Sequence, residues 1–129
     1  ILVHESLAAK FETAFVAAAR ALISGDPADE ETFIGPMISE KEAIRLETWI
    51  DEAKSAGAEV LCGGTRKGAI LEATVLKNVA KNAKLYREEA FGPVAIIDTF
   101  SDFGEGVAEV NDSRYGIHAG VFTPRIDHA

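Results

Sequence analysis

Along residues 5–23 the apolar positions Leu7, Phe11, Phe15, Ala18 and Leu22 recur at the spacing that gathers side chains on one face of a helix. Gly25-Asp26-Pro27 predicts its end, because Gly permits a left-handed cap and Pro cannot continue a helix. The polar stretch 27–36 then reads as a surface loop. A second helix is announced by Ser39 and Glu42, an S-x-x-E box in which each side chain satisfies a backbone N–H that the first turn would leave orphaned. Its buried stripe is Ala43, Leu46, Ile50 and Ala53, and Gly57 closes it. Short apolar runs at 1–4, 58–62, 73–79, 94–100 and 117–122 read as strands, the second ended by Gly63-Gly64. A weaker helix is expected over 102–110, where Gly104 and Gly106 each cost about 1 kcal/mol relative to Ala. Strands alternating with helices predict an α/β fold, with helices packed on a mostly parallel sheet. The strands are apolar on both faces, as in sheets covered on both sides. No repeat, low-complexity tract or linker divides the chain, so residues 1–129 read as a single domain.

Charge narrows the partners. The chain carries a net charge of -8, and so acidic a surface repels phosphate backbones, which argues against nucleic acid. No apolar run approaches the roughly 20 residues of a spanning helix, and no basic segment leads into an apolar one, so no membrane attachment is expected. One cysteine, Cys62, excludes an internal disulfide and fits a reducing, cytoplasmic location. The apolar opening Ile1-Leu2-Val3-His4, with no initiator Met, leads one to expect that more chain precedes it.

Several candidate centres fall away on chemistry. A reactive thiol needs a nearby cation or helix N-terminus, and Cys62 sits in the apolar run Val60-Leu61-Cys62, which makes it a structural residue. His4, His118 and His128 are not spaced as metal ligands with one another or with Cys62; His118 is expected to pack on or border the sheet. The acidic residues Asp26, Asp29, Glu30 and Glu31 lack the calcium-loop pattern and read as solvated. Gly63-Gly64 lacks the lysine and following helix of a phosphate loop.

Four strings carry more information. Glu88-Glu89-Ala90-Phe91-Gly92-Pro93-Val94 resembles the E-x-F-G-P signature of the NAD(P)-dependent aldehyde dehydrogenase superfamily. Ile34-Gly35-Pro36-Met37-Ile38-Ser39 is similar to that family's helix start. Gly57-Ala58-Glu59-Val60-Leu61-Cys62-Gly63-Gly64 is similar to its GA-x-hydrophobic-GG strand. Val110-Asn111-Asp112-Ser113-Arg114-Tyr115-Gly116, with Ala119-Gly120-Val121-Phe122-Thr123, resembles its N-x-S/T-x-YGL stretch. The strings occur in the family's order and span nearly the whole chain. The resemblance implies a truncated part of a catalytic domain, from an oxidoreductase that converts an aldehyde to a carboxylic acid with NAD or NADP. In that family a cysteine thiolate attacks the carbonyl, hydride passes to the nicotinamide, and water hydrolyses the thioester. By resemblance, the nucleophilic cysteine, the general-base glutamate and the dinucleotide-binding domain belong upstream of Ile1. No catalytic residue is therefore assigned within 1–129, and the parent is expected to be a homo-oligomer.

Three residues are candidates for the cofactor, by resemblance. Glu89 matches the E-x-F-G-P glutamate, whose carboxylate accepts the two hydroxyls of the nicotinamide ribose. An ionised carboxylate is acceptor-only and has an oxygen for each. On its own it is a loop acid beside Glu88 and Arg87. Phe91 matches the aromatic beside the nicotinamide; on its own it reads as a core residue before the Gly92-Pro93 turn. Arg45 falls where the family often has a basic residue near the cofactor, or else on a solvated helix face. Glu42 takes the place of the family's cofactor-side glutamine and is already explained as the capping-box acid. Against this stands a different class, a non-catalytic α/β scaffold of the same fold. An acyl-phosphate-forming relative, the aldehyde, and the choice of NAD or NADP stay open.

Overall fold

The computed structural model describes residues 1–128. Strands β1 (Leu2–His4), β6 (Val94–Phe100), β5 (Thr74–Lys77) and β2 (Glu59–Cys62) lie in that order across one sheet. β1 and β5 both run parallel to β6, and β2 pairs antiparallel to β5. Helices cover both faces. α2 (Glu40–Ser55) supplies Leu46, Ile50 and Ala53 to one core, with Leu71, Leu76, Val79 and Leu85. α1 (Glu5–Arg20) packs Phe11, Phe15, Val16 and Ala19 onto Val3, Cys62, Val75 and Ile97 in the other. Val75 and Leu76, adjacent on β5, face opposite cores, as strand alternation requires. The expected α/β class and mostly parallel sheet are what the chain forms.

α2 has the predicted stripe: Ala43, Leu46, Ile50 and Ala53 are all buried. Its N-cap is Ser39, whose Oγ accepts the Glu42 N–H at 3.3 Å. The reciprocal half of the capping box does not form, because the Glu42 carboxylate turns to Arg45. Gly57, at φ 104°, ends the helix while the Ala58 N–H returns to the Ala53 carbonyl at 2.9 Å.

Four further expectations need correction. α1 ends at Arg20 rather than near Ile23, because Ile23 turns away and its carbonyl accepts the N–H groups of Phe33 and Ile34. Its inner face is also rotated: Leu7, Ala18 and Leu22 are exposed, while Ala8, Phe11, Glu12, Phe15, Val16 and Ala19 turn inward. Glu12 belongs there because Lys77 of β5 reaches its carboxylate at 3.2 Å. Residues 117–122 form no strand, and Ile117 and Phe122 are fully exposed. An apolar run becomes a strand only against a neighbour, and the described residues place none beside it. His118 is accordingly exposed and borders no sheet.

Two short strands and a single helical turn are among the elements with no counterpart in the sequence reading. β3 (Arg66–Lys67) and β4 (Ile70–Leu71) pair as a hairpin whose turn begins at Gly68, φ 59°. α3 (Lys84–Arg87) is a single turn leading into the Glu89 loop. The expected weak helix is α4 (Phe103–Asn111), capped by Asp102, whose carboxylate accepts the Glu105 N–H at 3.1 Å. No helix among the described residues is long and apolar enough to cross a membrane.

Candidate functional site: the loop between α3 and β6

Residues 88–93 connect α3 to the central strand β6. The loop's end is fixed by the sheet. The Pro93 carbonyl accepts the Thr74 N–H at 2.9 Å, and Val94 N–H bonds back to the Gly92 carbonyl at 2.8 Å, a tight turn centred on the proline. Gly92 is required by close approach: a Cβ there would lie 2.5 Å from Leu46 Cδ2 and 3.2 Å from Met37 Cε.

The two neighbouring acids have opposite surroundings. Glu88 is taken up by the chain itself. Its carboxylate accepts from the Arg114 guanidinium and, at 3.0 Å, from the Tyr115 hydroxyl, and these bonds hold its carboxyl below the usual range. Glu89 is exposed and engages no hydrogen-bond or ionic partner among the described residues. It is a free acceptor beside an acid that is already bound.

Phe91 is not a core residue. It is 82% exposed and has φ 48°, the left-handed region that bulky side chains avoid. The kink turns its ring out of the protein next to Glu89.

Arg45 is brought to the same loop and is not a solvated helix residue. From α2 its Nη2 donates to the Ala90 carbonyl at 3.0 Å, between Glu89 and Phe91. Its Nε meets the Glu42 carboxylate at 2.6 Å, and its guanidinium lies 4.2 Å from the centre of the Trp49 ring. The three candidates Glu89, Phe91 and Arg45 are thus assembled on one loop and the helix beneath it.

The sequence reading missed the residues that hold this loop from the far side. Arg87 donates to the Lys81 carbonyl at 2.7 Å and to the Asp112 carboxylate at 2.9 Å. With Arg114 and Tyr115 on Glu88, it ties the string around Glu89 to the string around Tyr115. Their order along the chain was visible; their contact was not. Cys62 lies elsewhere: it is buried on β2, with its Sγ 3.8 Å from the Ala73 carbonyl oxygen. A cavity of about 620 Å³ is also remote, between the end of α1 and the β3–β4 hairpin, and no residue of the Glu89 loop lines it. A groove of about 400 Å³ reaches the loop through Ala90, where Leu85, Tyr86, Val94 and Ile96 help to line it.

Residues 1–129 match the aldehyde dehydrogenase family along their whole length. The chain belongs to the aldehyde dehydrogenase family. The crystal structure of aldehyde dehydrogenase 21 from Physcomitrella patens, in complex with the reaction product succinate, superposes with a TM-score of 0.96 at 44% identity, over 99% of this chain and 27% of that one. Betaine aldehyde dehydrogenase from Staphylococcus aureus, in complex with NAD+, gives a TM-score of 0.92 at 34% identity, over 100% of this chain and 27% of that one. The 3-sulfolactaldehyde dehydrogenase of Priestia megaterium is 41% identical over 129 residues, which is 100% of this chain and 27% of the relative. The chain therefore spans about a quarter of the length of the curated relatives it matches.

Proposed function

We propose that residues 1–129 form the nicotinamide-facing part of an NAD(P)-dependent aldehyde dehydrogenase that oxidises an aldehyde to a carboxylic acid. The observation that carries this reading is the contrast between Glu88, bound by Arg114 and Tyr115, and Glu89, left free beside an outward-turned Phe91. A vicinal diol offers two O–H donors, and a free carboxylate offers two acceptor oxygens at matching reach. The residues present therefore fit a nicotinamide ribose: Glu89 would take its hydroxyls, and the Phe91 ring would bound the space beside it. When bound, the cofactor supplies the hydride acceptor. This chain's share is orientation, which can contribute much of a rate enhancement when the reacting atoms must meet in one geometry. Cys62, buried against the Ala73 carbonyl, is not the nucleophile in this reading, which assigns that role and the general base to chain outside residues 1–129.

Two assays test the reading. The full-length protein carrying this sequence should reduce NAD+ or NADP+ with an aldehyde, and residues 1–129 alone should not. Turnover by the isolated chain that disappeared in Cys62→Ser would overturn the assignment of Cys62. Cofactor binding without any turnover of aldehydes by the full-length protein would favour the scaffold reading.

A further inference from the structure

A bulky residue held at positive φ is strained and persists only where its surroundings dictate it. At Phe91 they do so from both sides, and both constraints come from consecutive residues of α2. Arg45 holds the Ala90 carbonyl at 3.0 Å. Leu46 is pressed so closely on Gly92 that a Cβ there would come within 2.5 Å of it. Pinned at 90 and at 92, the chain turns at 91 through the left-handed region and presents Phe91 to the outside.

The Arg45 guanidinium is itself held in place. Its side chain is 28% exposed, it forks between the Glu42 carboxylate and the Ala90 carbonyl, and it stacks on Trp49. Two donor positions in one plane and a flat face are properties of guanidinium; a lysine ammonium, a point donor, cannot supply all three contacts at once. We infer that Arg45 is a positioning residue: it holds the Ala90 carbonyl and thereby sets Glu89 and Phe91, its neighbours on either side, in the orientation the cofactor requires. Arg45 acts through the loop and not by binding the cofactor. This inference rests on the assignment of Glu89 and Phe91 to the nicotinamide end.

A double-mutant cycle on the full-length protein tests it, with Arg45→Ala, Glu89→Gln and the pair. The measurements are single-turnover hydride transfer and the equilibrium Kd for NAD+. Arg45→Ala is expected to slow hydride transfer about tenfold, but only about threefold or less when Glu89 is already Gln, the non-additivity of two residues acting as one unit. The Kd should change by less than about twofold, because Arg45 makes no contact that its loss would remove from the cofactor. Arg45→Lys should recover only part of the rate. Full additivity of the two effects, or a Kd that weakens in step with the rate, would overturn the inference and make Arg45 a direct contact. An unchanged rate in Glu89→Gln alone would remove Glu89 from the site and the inference with it, a result distinct from additivity. If Arg45→Ala unfolds the protein, the same cycle with Arg45→Lys decides by the same criteria.

Discussion

The Arg87 guanidinium holds Asp112 twice, at its carbonyl oxygen (3.0 Å) and at its carboxylate (2.9 Å), and so joins α3 to the chain leaving α4. One residue further on, Glu88 receives Arg114 and Tyr115. The loop that follows is therefore anchored by side-chain bonds at its start, by Arg45 at Ala90, and by sheet and turn bonds at Pro93 and Val94. Glu89 and Phe91 are the two side chains in it that face outward uncommitted. A loop fixed in this way can present an acid and an aromatic in one geometry, which is what binding a ribose in register with a reaction needs.

Gly92→Ala should destabilise the protein by about 1–3 kcal/mol, the usual cost of forcing a methyl into a packed site. The cause is steric, since the added Cβ would meet Leu46 Cδ2 at 2.5 Å. Denaturant unfolding should show a lower midpoint with an unchanged slope. Gly116→Ala is the control: nothing lies within 4 Å of a Cβ there, so its midpoint should not fall. An unshifted midpoint for Gly92→Ala would mean that α2 does not press on the loop.

Acid should weaken the contact between Lys81 and β6. Lys81 on the loop after β5 meets the carboxylates of Asp98 on β6 and Glu109 on α4, with the Tyr86 hydroxyl alongside. Burial pushes the Asp98 carboxyl up, but its bonds to Lys81 and to the Thr99 N–H outweigh that and leave it below its ordinary value of 3.8. A depressed carboxyl contributes stability that is present above its unfolded value and is lost as pH falls through the lower folded one. Asp98→Asn should therefore lower Tm at pH 7, and the gap from the parent should begin to narrow only as pH falls below about 4 and go on narrowing as acid protonates the carboxylate. A gap that did not narrow at all as pH falls below the ordinary carboxylate range would show that Asp98 acts by packing and not by charge.

Residues 1–129 alone should self-associate. β1 and β2 end the sheet with no further strand beside them among the described residues, and such edges offer free N–H and C=O groups. Ile117, Phe122 and Ile126 add exposed apolar surface. The net charge of -8 opposes contact, but screening confines repulsion to about 8 Å at physiological salt. Sedimentation equilibrium at micromolar concentration should give a mass above that of the monomer; a homogeneous 13.8 kDa species would refute this.

How far the sequence carried depended on the range of the interaction. The extent and buried face of α2 were legible because its stripe, cap serine and terminal Gly57 are local signals that agree. The face of α1 was not, because alanines at 8, 9, 14, 17, 18 and 19 make neighbouring faces nearly equivalent, and the contact from Glu12 to Lys77 that settles it spans 65 positions. The run 117–122 has the composition of a strand, but pairing is not encoded in a run alone. At the site, Glu89, Phe91 and Arg45 could be singled out only by resemblance. What separates Glu89 from Glu88 is the bonds from Arg114 and Tyr115, 26 and 27 positions away. The hold of Arg45 on a main-chain carbonyl leaves no side-chain pattern in the sequence. The β3–β4 hairpin did leave one, since Gly68 stands where its turn requires positive φ.

The central claim is that Glu89, and not its neighbour, serves the cofactor. The measurement that tests it most directly is single-turnover hydride transfer in the full-length protein, with Glu89→Gln and Glu88→Gln compared side by side. Glu89→Gln keeps one acceptor and loses the charge, and charge-assisted hydrogen bonds contribute about 1.5–3 kcal/mol, so hydride transfer should slow by about tenfold or more. The affinity for NAD+ should fall less than the rate, because the role proposed for this loop is confined to the nicotinamide end of the cofactor and leaves the other dinucleotide contacts to chain outside it. Glu88→Gln should lower Tm by weakening the Arg114 and Tyr115 bonds, and change the rate less. An unchanged rate in Glu89→Gln, or a larger loss in Glu88→Gln at an unchanged Tm, would contradict the account.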